Sequence, residues 1–295
     1  MRGARPGLLL AVALLVTACQ SADAVAPVAP PSSASVTPVV EAGRWTRAAG
    51  AEVFDVRPGD HTADDRAILS AAAAASAAVT RVWGPQWRRP PVVVAVPDTA
   101  TLARLAGRTP ADTAGLVAVT TVDRVYLDAP AWLALPPVGR QVLLTHEVTH
   151  LATGSAVTDL PLWLEEGFAD DVALTGSALR LRTVAAALLD RLRAGAAPPS
   201  RLPTDADFAA GGTAAGAQAY AGAWLVCRLV ATDAGQRALV AVYRAAAAGT
   251  GTPDQRVDGA LRRVTGAGTA VWTQRWRASL RELVAHGGPA PGVLA

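Results

Sequence analysis

An α+β fold is predicted for this 295-residue chain: a small, mostly antiparallel sheet, a helix bearing His146-Glu147-Val148-Thr149-His150, and an all-α C-terminal lobe. Three observations predict it. Short alternating or β-branched runs, the strand signature, fall before residue 128. Past residue 177 the apolar residues recur at helical spacing, broken only by Gly/Pro/Ser punctuation. Half of the chain is apolar (51%), ample for a core.

Residues 1–19 read as an export signal. Arg2 and Arg5 make its positive start, residues 8–16 an apolar run too short to span a bilayer, and small residues follow. Val16-Thr17-Ala18-Cys19 is similar to a bacterial lipobox, which makes Cys19 the lipidation site and places the chain outside the cytoplasm, anchored to a bacterial membrane. Residues 20–44, rich in Ala, Pro, Ser, Val and Thr, cannot bury enough surface to offset ordering and read as a tether. The folded part is expected over 45–175, an α+β lobe, and 176–288, the all-α lobe, with 289–295 a flexible tail.

Within the first lobe, residues 52–56 alternate and end at Arg57-Pro58-Gly59-Asp60, a strand and a turn. Residues 62–82 are Ala-rich and suit a long helix, with Asp60 or Thr62 able to cap it. Val92-Val93-Val94-Ala95-Val96, bounded by prolines, is a buried strand, and residues 116–120 and 124–127 form a hairpin. A helix over 137–151 follows, with Pro137 in its first turn and Gly154 past its end. Later helices are expected over 178–193, 214–231, 236–247, 254–264 and 269–284.

The chemistry concentrates in the 137–151 helix. Positions i and i+4 share a helix face, so His146 and His150 can direct two imidazoles at one metal ion, while Glu147 beside them suits a general base. Zinc is the metal these ligands suit. Glu166 follows His150 after fifteen intervening residues, room for a turn and a return helix. The set is then two His and one Glu with water as fourth ligand, one zinc per chain. Asp170, four residues beyond Glu166, shares its face and could receive an N–H from a ligating imidazole.

Residues 146–150 and Trp163-Leu164-Glu165-Glu166-Gly167-Phe168-Ala169 resemble the zinc helix and the glutamate helix of the gluzincin metallopeptidases. The resemblance assigns the third ligand to Glu166 rather than Glu165, and implies a small sheet before the zinc helix. It further implies that Gly115, Leu116, Val117 and Ala118 line the cleft as the strand that pairs with extended substrate. Tyr220-Ala221-Gly222-Ala223-Trp224 resembles the segment by which aminopeptidase-like members supply a tyrosine, making Tyr220 a candidate oxyanion donor. Those members hold the substrate's amine with an acid on the cleft strand. Residues 116–121 contain none, so the sequence points to an endopeptidase with a peptide or protein substrate.

Other classes are disfavoured or carried as alternatives. A net charge of +3 with no basic run interleaved with aromatics disfavours nucleic acid. Cys227 lies in an apolar helical run and reads as buried and inert, with no disulfide partner once Cys19 is lipidated. The alternative to an enzyme is a lipid-anchored binding or scaffolding protein with a structural or degenerate zinc site. Structural zinc is normally closed by four protein ligands, and the sequence supplies three.

Overall fold

The structure, a computed structural model, describes residues 43–209 and 212–285. The export signal with Cys19, nearly all of the tether and the tail fall outside the described residues. The fold class is α+β. Five strands form one sheet in the order β1-β2-β3-β5-β4, from β1 (Arg44–Ala48), β2 (Ala51–Asp55), β3 (Val92–Val96), β4 (Ala118–Thr120) and β5 (Val125–Asp128).

The sheet is mixed, which corrects the mostly antiparallel expectation. β1–β2 and β4–β5 are antiparallel hairpins at the two edges, whereas β2–β3 and β3–β5 are parallel at the centre. The reason is the connection. Helix α1 (Thr62–Trp83) carries the chain from the end of β2 back to the start of β3, and such a crossover brings the next strand in parallel. The unbroken apolar run of β3 is what a parallel strand buried on both faces requires. β1 had no expectation behind it, because its half-exposed edge shows no apolar period.

The two sheet faces separate cleanly by alternation. Val93, Ala95, Ala118, Val125 and Leu127 join the main core, while Val94, Val96, Val119 and Tyr126 join a small cluster beneath Leu102 and Leu116. Leu102 belongs to α2 (Thr99–Leu105), whose first turn is capped by Asp98. Asp128 likewise caps α3 (Ala129–Ala134). Thr120, two residues beyond Ala118, falls on the main-core face.

Against that face lies α4 (Pro137–Thr153), the expected zinc helix, buried on all sides from Val142 to Leu151 and ended by Gly154 at φ 70°. A 3-10 turn, Ser155–Val157, leads to α5 (Leu162–Leu174), the glutamate helix. The expected 178–193 helix is interrupted at Ala185 into α6 (Leu181–Val184) and α7 (Ala186–Arg193). Then come α8 (Asp205–Phe208), α9 (Ala214–Asp233), α10 (Gln236–Ala247), α11 (Pro253–Thr265) and α12 (Thr269–Ala285). One apolar cluster runs from Ala51 to Leu283, so both expected lobes share a core. Each large aliphatic side chain fully buried there contributes about 1.5–3 kcal/mol.

α9 lies directly on α5. A Cβ on Gly167 would sit 2.4 Å from the Ala223 carbonyl oxygen and 2.8 Å from Cys227 Sγ, so only glycine permits this approach. Among the described residues, no helix is long and apolar enough to cross a membrane.

Candidate metal centre

The i, i+4 spacing on α4 brings the rings of His146 and His150 to 4.6 Å between centroids, with their Nε2 atoms 2.8 Å apart. Glu166, entering from α5, closes the triangle: Oε2 lies 3.2 Å from His146 Nε2 and Oε1 lies 3.6 Å from His150 Nε2. Tetrahedral bonds of about 2.0 Å would separate neighbouring ligand atoms by roughly 3.3 Å. The three pairs of donor atoms, 2.8 to 3.6 Å apart, bracket that value, and together they could hold a metal ion.

The far sides of the rings argue for the same chemistry. His146 Nδ1 lies 2.9 Å from Asp170 Oδ1. A carboxylate there can accept Nδ1–H, the tautomer that would free Nε2 for a cation. His150 Nδ1 lies 3.0 Å from Ser155 Oγ. Two imidazole nitrogens and a carboxylate converge on one buried point, a set that could hold a cation.

Electrostatics separate the acids of α5. Burial by itself would raise the Glu166 carboxyl, but the adjacent imidazoles outweigh it and hold its pKa below the usual carboxylate range. Glu165 is pushed up to about 8 by burial, with the Glu166 charge adding to the rise. Its Oε1 accepts from Thr158 Oγ1 at 2.5 Å, away from the imidazoles. Geometry thus distinguishes two adjacent acids that the sequence separated only by resemblance. Asp170 is raised by burial against the opposing bond to His146.

Glu147 belongs to α4 but is engaged from the sheet: Thr120 Oγ1 donates to its Oε2 at 2.5 Å and lies 3.0 Å from its backbone oxygen. Thr120 is on β4, an edge strand packed against α4. The expected substrate strand is only partly a strand. Ala118 lies in β4, whereas Gly115 at φ 79°, Leu116 and Val117 form the turn leading into it.

Tyr220 is 1% exposed on α9, its ring edge-on to Phe208 at 5.0 Å. Cys227 is fully buried, as expected, and burial raises its thiol well above the ordinary value. Sequence reasoning missed Thr120, Ser155, Thr158 and Tyr243. Tyr243 stands beside Glu165, and its phenol is raised first by burial and then by that carboxyl. Ser155 had a usable signal, a hydroxyl directly after the glycine that ends the zinc helix; the other three depend on tertiary packing. Two surface clefts of about 400 and 640 Å³ share Arg201 and Pro203, and the second reaches Trp163 near the start of α5. Neither is lined by His146, Glu147 or His150.

No protein-family model matches the chain, and no curated protein matches it.

Proposed function

We propose that this protein is a zinc-dependent metallopeptidase that hydrolyses peptide bonds within chains, held by a lipid on Cys19 at the outer face of a bacterial cytoplasmic membrane. The observation that carries the reading is the convergence of His146, His150 and Glu166, with Glu147 on the same helix. The resemblance of residues 146–150 and 163–169 to the two gluzincin helices supports it.

Bound zinc would polarise the scissile carbonyl and lower the pKa of water towards about 7. Glu147 takes the proton of the attacking water and passes it to the leaving amine, and Thr120 orients its carboxylate for both transfers. Asp170 holds His146 in the tautomer that presents Nε2. Tyr220 is the proposed donor to the developing oxyanion. The outer edge of β4, unpaired by any strand among the described residues, offers backbone groups to an extended peptide, and the segment carries no acid to demand a free amine.

The test is digestion of an unstructured protein such as casein, with and without a chelator, beside Glu147→Gln. Chelation should abolish cleavage, and Glu147→Gln should lower it by about a hundredfold to ten-thousandfold with zinc content unchanged. Zinc bound at one per chain without any Glu147-dependent cleavage would favour the binding-protein alternative.

A further inference from the structure

We propose that Glu165, the acid that does not face the imidazoles, is a positioning residue: through Thr158 it sets Ser155, and Ser155 holds His150 in the tautomer that presents Nε2 to a metal. The inference rests on the metal-centre reading above and concerns how that site is kept in shape.

The two imidazoles are oriented by different devices. A carboxylate at Asp170 accepts Nδ1–H and would fix the His146 tautomer unaided. A serine hydroxyl can donate or accept, and alone would select no tautomer. The backbone offers the hydroxyl a second acceptor. Ser155 Oγ lies 3.5 Å from the His150 carbonyl oxygen, which can only accept, as well as 3.0 Å from His150 Nδ1. That carbonyl also accepts from the Gly154 amide at 3.0 Å and from the Thr153 hydroxyl at 3.2 Å; when Ser155 turns its proton to it, Oγ accepts Nδ1–H and Nε2 keeps its lone pair.

Ser155 therefore has to be held in place, yet it sits past the end of α4 in a single 3-10 turn. The Thr158 amide donates to the Ser155 carbonyl at 3.1 Å, and the Thr158 hydroxyl, 3.2 Å from that oxygen, donates to Glu165 Oε1 at 2.5 Å. Glu165 is 3% exposed and one residue from Glu166. One side chain thus ties the connecting turn, through Thr158, to the helix that carries the third ligand, and the orientation of His150 becomes linked to the position of Glu166.

The experiment compares the full chain with Ser155→Ala, Ser155→Thr, Thr158→Val, Glu165→Ala and the Ser155→Ala/Glu165→Ala pair. Two readouts are used: zinc affinity by competition with a chelating dye, and the His150 tautomer from long-range ¹H–¹⁵N spectra of the metal-free protein at a pH where the imidazoles are neutral. Ser155→Ala and Glu165→Ala should each weaken zinc by about 10–100-fold and mix the His150 tautomers. Ser155→Thr, which keeps the hydroxyl, should restore both. The double variant should bind no more weakly than the poorer single, because both act along one path. If Glu165→Ala does not fold, Thr158→Val, nearly isosteric, carries the test. Wild-type affinity and a wild-type tautomer in Glu165→Ala or Thr158→Val would overturn the proposal, as would losses that multiply in the double variant. Absence of zinc binding by the wild-type chain would instead overturn the metal reading, while the tautomer spectra still decide the role of Glu165.

Discussion

Around Asp55 and Asp65, buried carboxylates meet guanidinium groups; around Glu166 and Asp170, they meet imidazoles. In the first region Arg57 spends its fork on the acids, with Nε 2.8 Å from Asp55 Oδ1, Nη2 2.9 Å from Asp65 Oδ1 and Nη1 3.1 Å from Asp64 Oδ2. Arg44 adds a bond to Asp65 Oδ2 at 2.9 Å. A guanidinium keeps its charge at any ordinary pH, so this cluster carries its own cations. In the second region the polar atoms nearest the centre are two Nε2 atoms and a carboxylate, all able to accept. Burial is alike in the two places; the difference is whether the compensating cation is covalently part of the chain. A cluster that carries its cation is complete as it stands, and one that lacks it could hold one.

The sharpest way to break this contrast is His150→Ala. It should abolish stoichiometric zinc binding and all chelator-sensitive cleavage, as metal analysis beside the casein assay would show. Full zinc content in that variant would mean that the acceptors of the second region are not ligands.

The matching change in the first region is Arg57→Met, which strands Asp55 and Asp65 without their main partner. Breaking a buried pair from one side costs about 3–5 kcal/mol, so denaturant unfolding should show a loss of that size while the zinc content of the folded fraction stays at the wild-type value. The same pairing fixes a sign for pH. Burial would raise Asp55, but the bonds from Arg57 win and its pKa falls below the ordinary 3.8. Its contribution to stability is therefore present above that value and lost as pH falls through the lowered one. In Arg57→Met this part of the acid dependence should disappear from unfolding curves recorded between neutral pH and about pH 2.

A smaller effect is expected from Asp170→Asn, which keeps the size of the side chain but offers His146 a neutral acceptor. Zinc affinity should fall by about 10–100-fold with little change in unfolding midpoint. An unchanged affinity would mean that the 2.9 Å contact does not tune the ligand.

The clustering of His146 and His150 was legible in the sequence because its key relation is local. Four residues along a helix are one turn, and that spacing places His146 and His150 without knowledge of the fold. The Arg57 cluster has no such signature. Its acids come from a strand end and a helix start, and the segment around Arg57 reads as an ordinary turn. The central strand and most helices were equally visible, with β3 and α10 matching their expected ranges, since length and period are written along the chain. Parallel pairing was not, because it depends on where α1 delivers the chain. The short helices α2 and α3 did have cap signals in Asp98 and Asp128, but one or two turns carry too little periodicity to stand out.

The close approach at Gly167 bears on the order of events while the chain is being made. All three proposed metal ligands lie between residues 146 and 166, so they are synthesised well before α9, whose Ala223 carbonyl rests against Gly167. Until residues 214–233 have docked, the glutamate helix lacks the support that seats Glu166 opposite the imidazoles. Metal capture at this cluster would then be expected only after α9 has docked. Refolding in the presence of zinc and a fluorescent metal indicator should show metal capture coinciding with, or trailing, the burial of Trp224 on α9, which is 6% exposed in the finished fold. Capture that runs ahead of that burial would mean the first 175 residues can build the site alone.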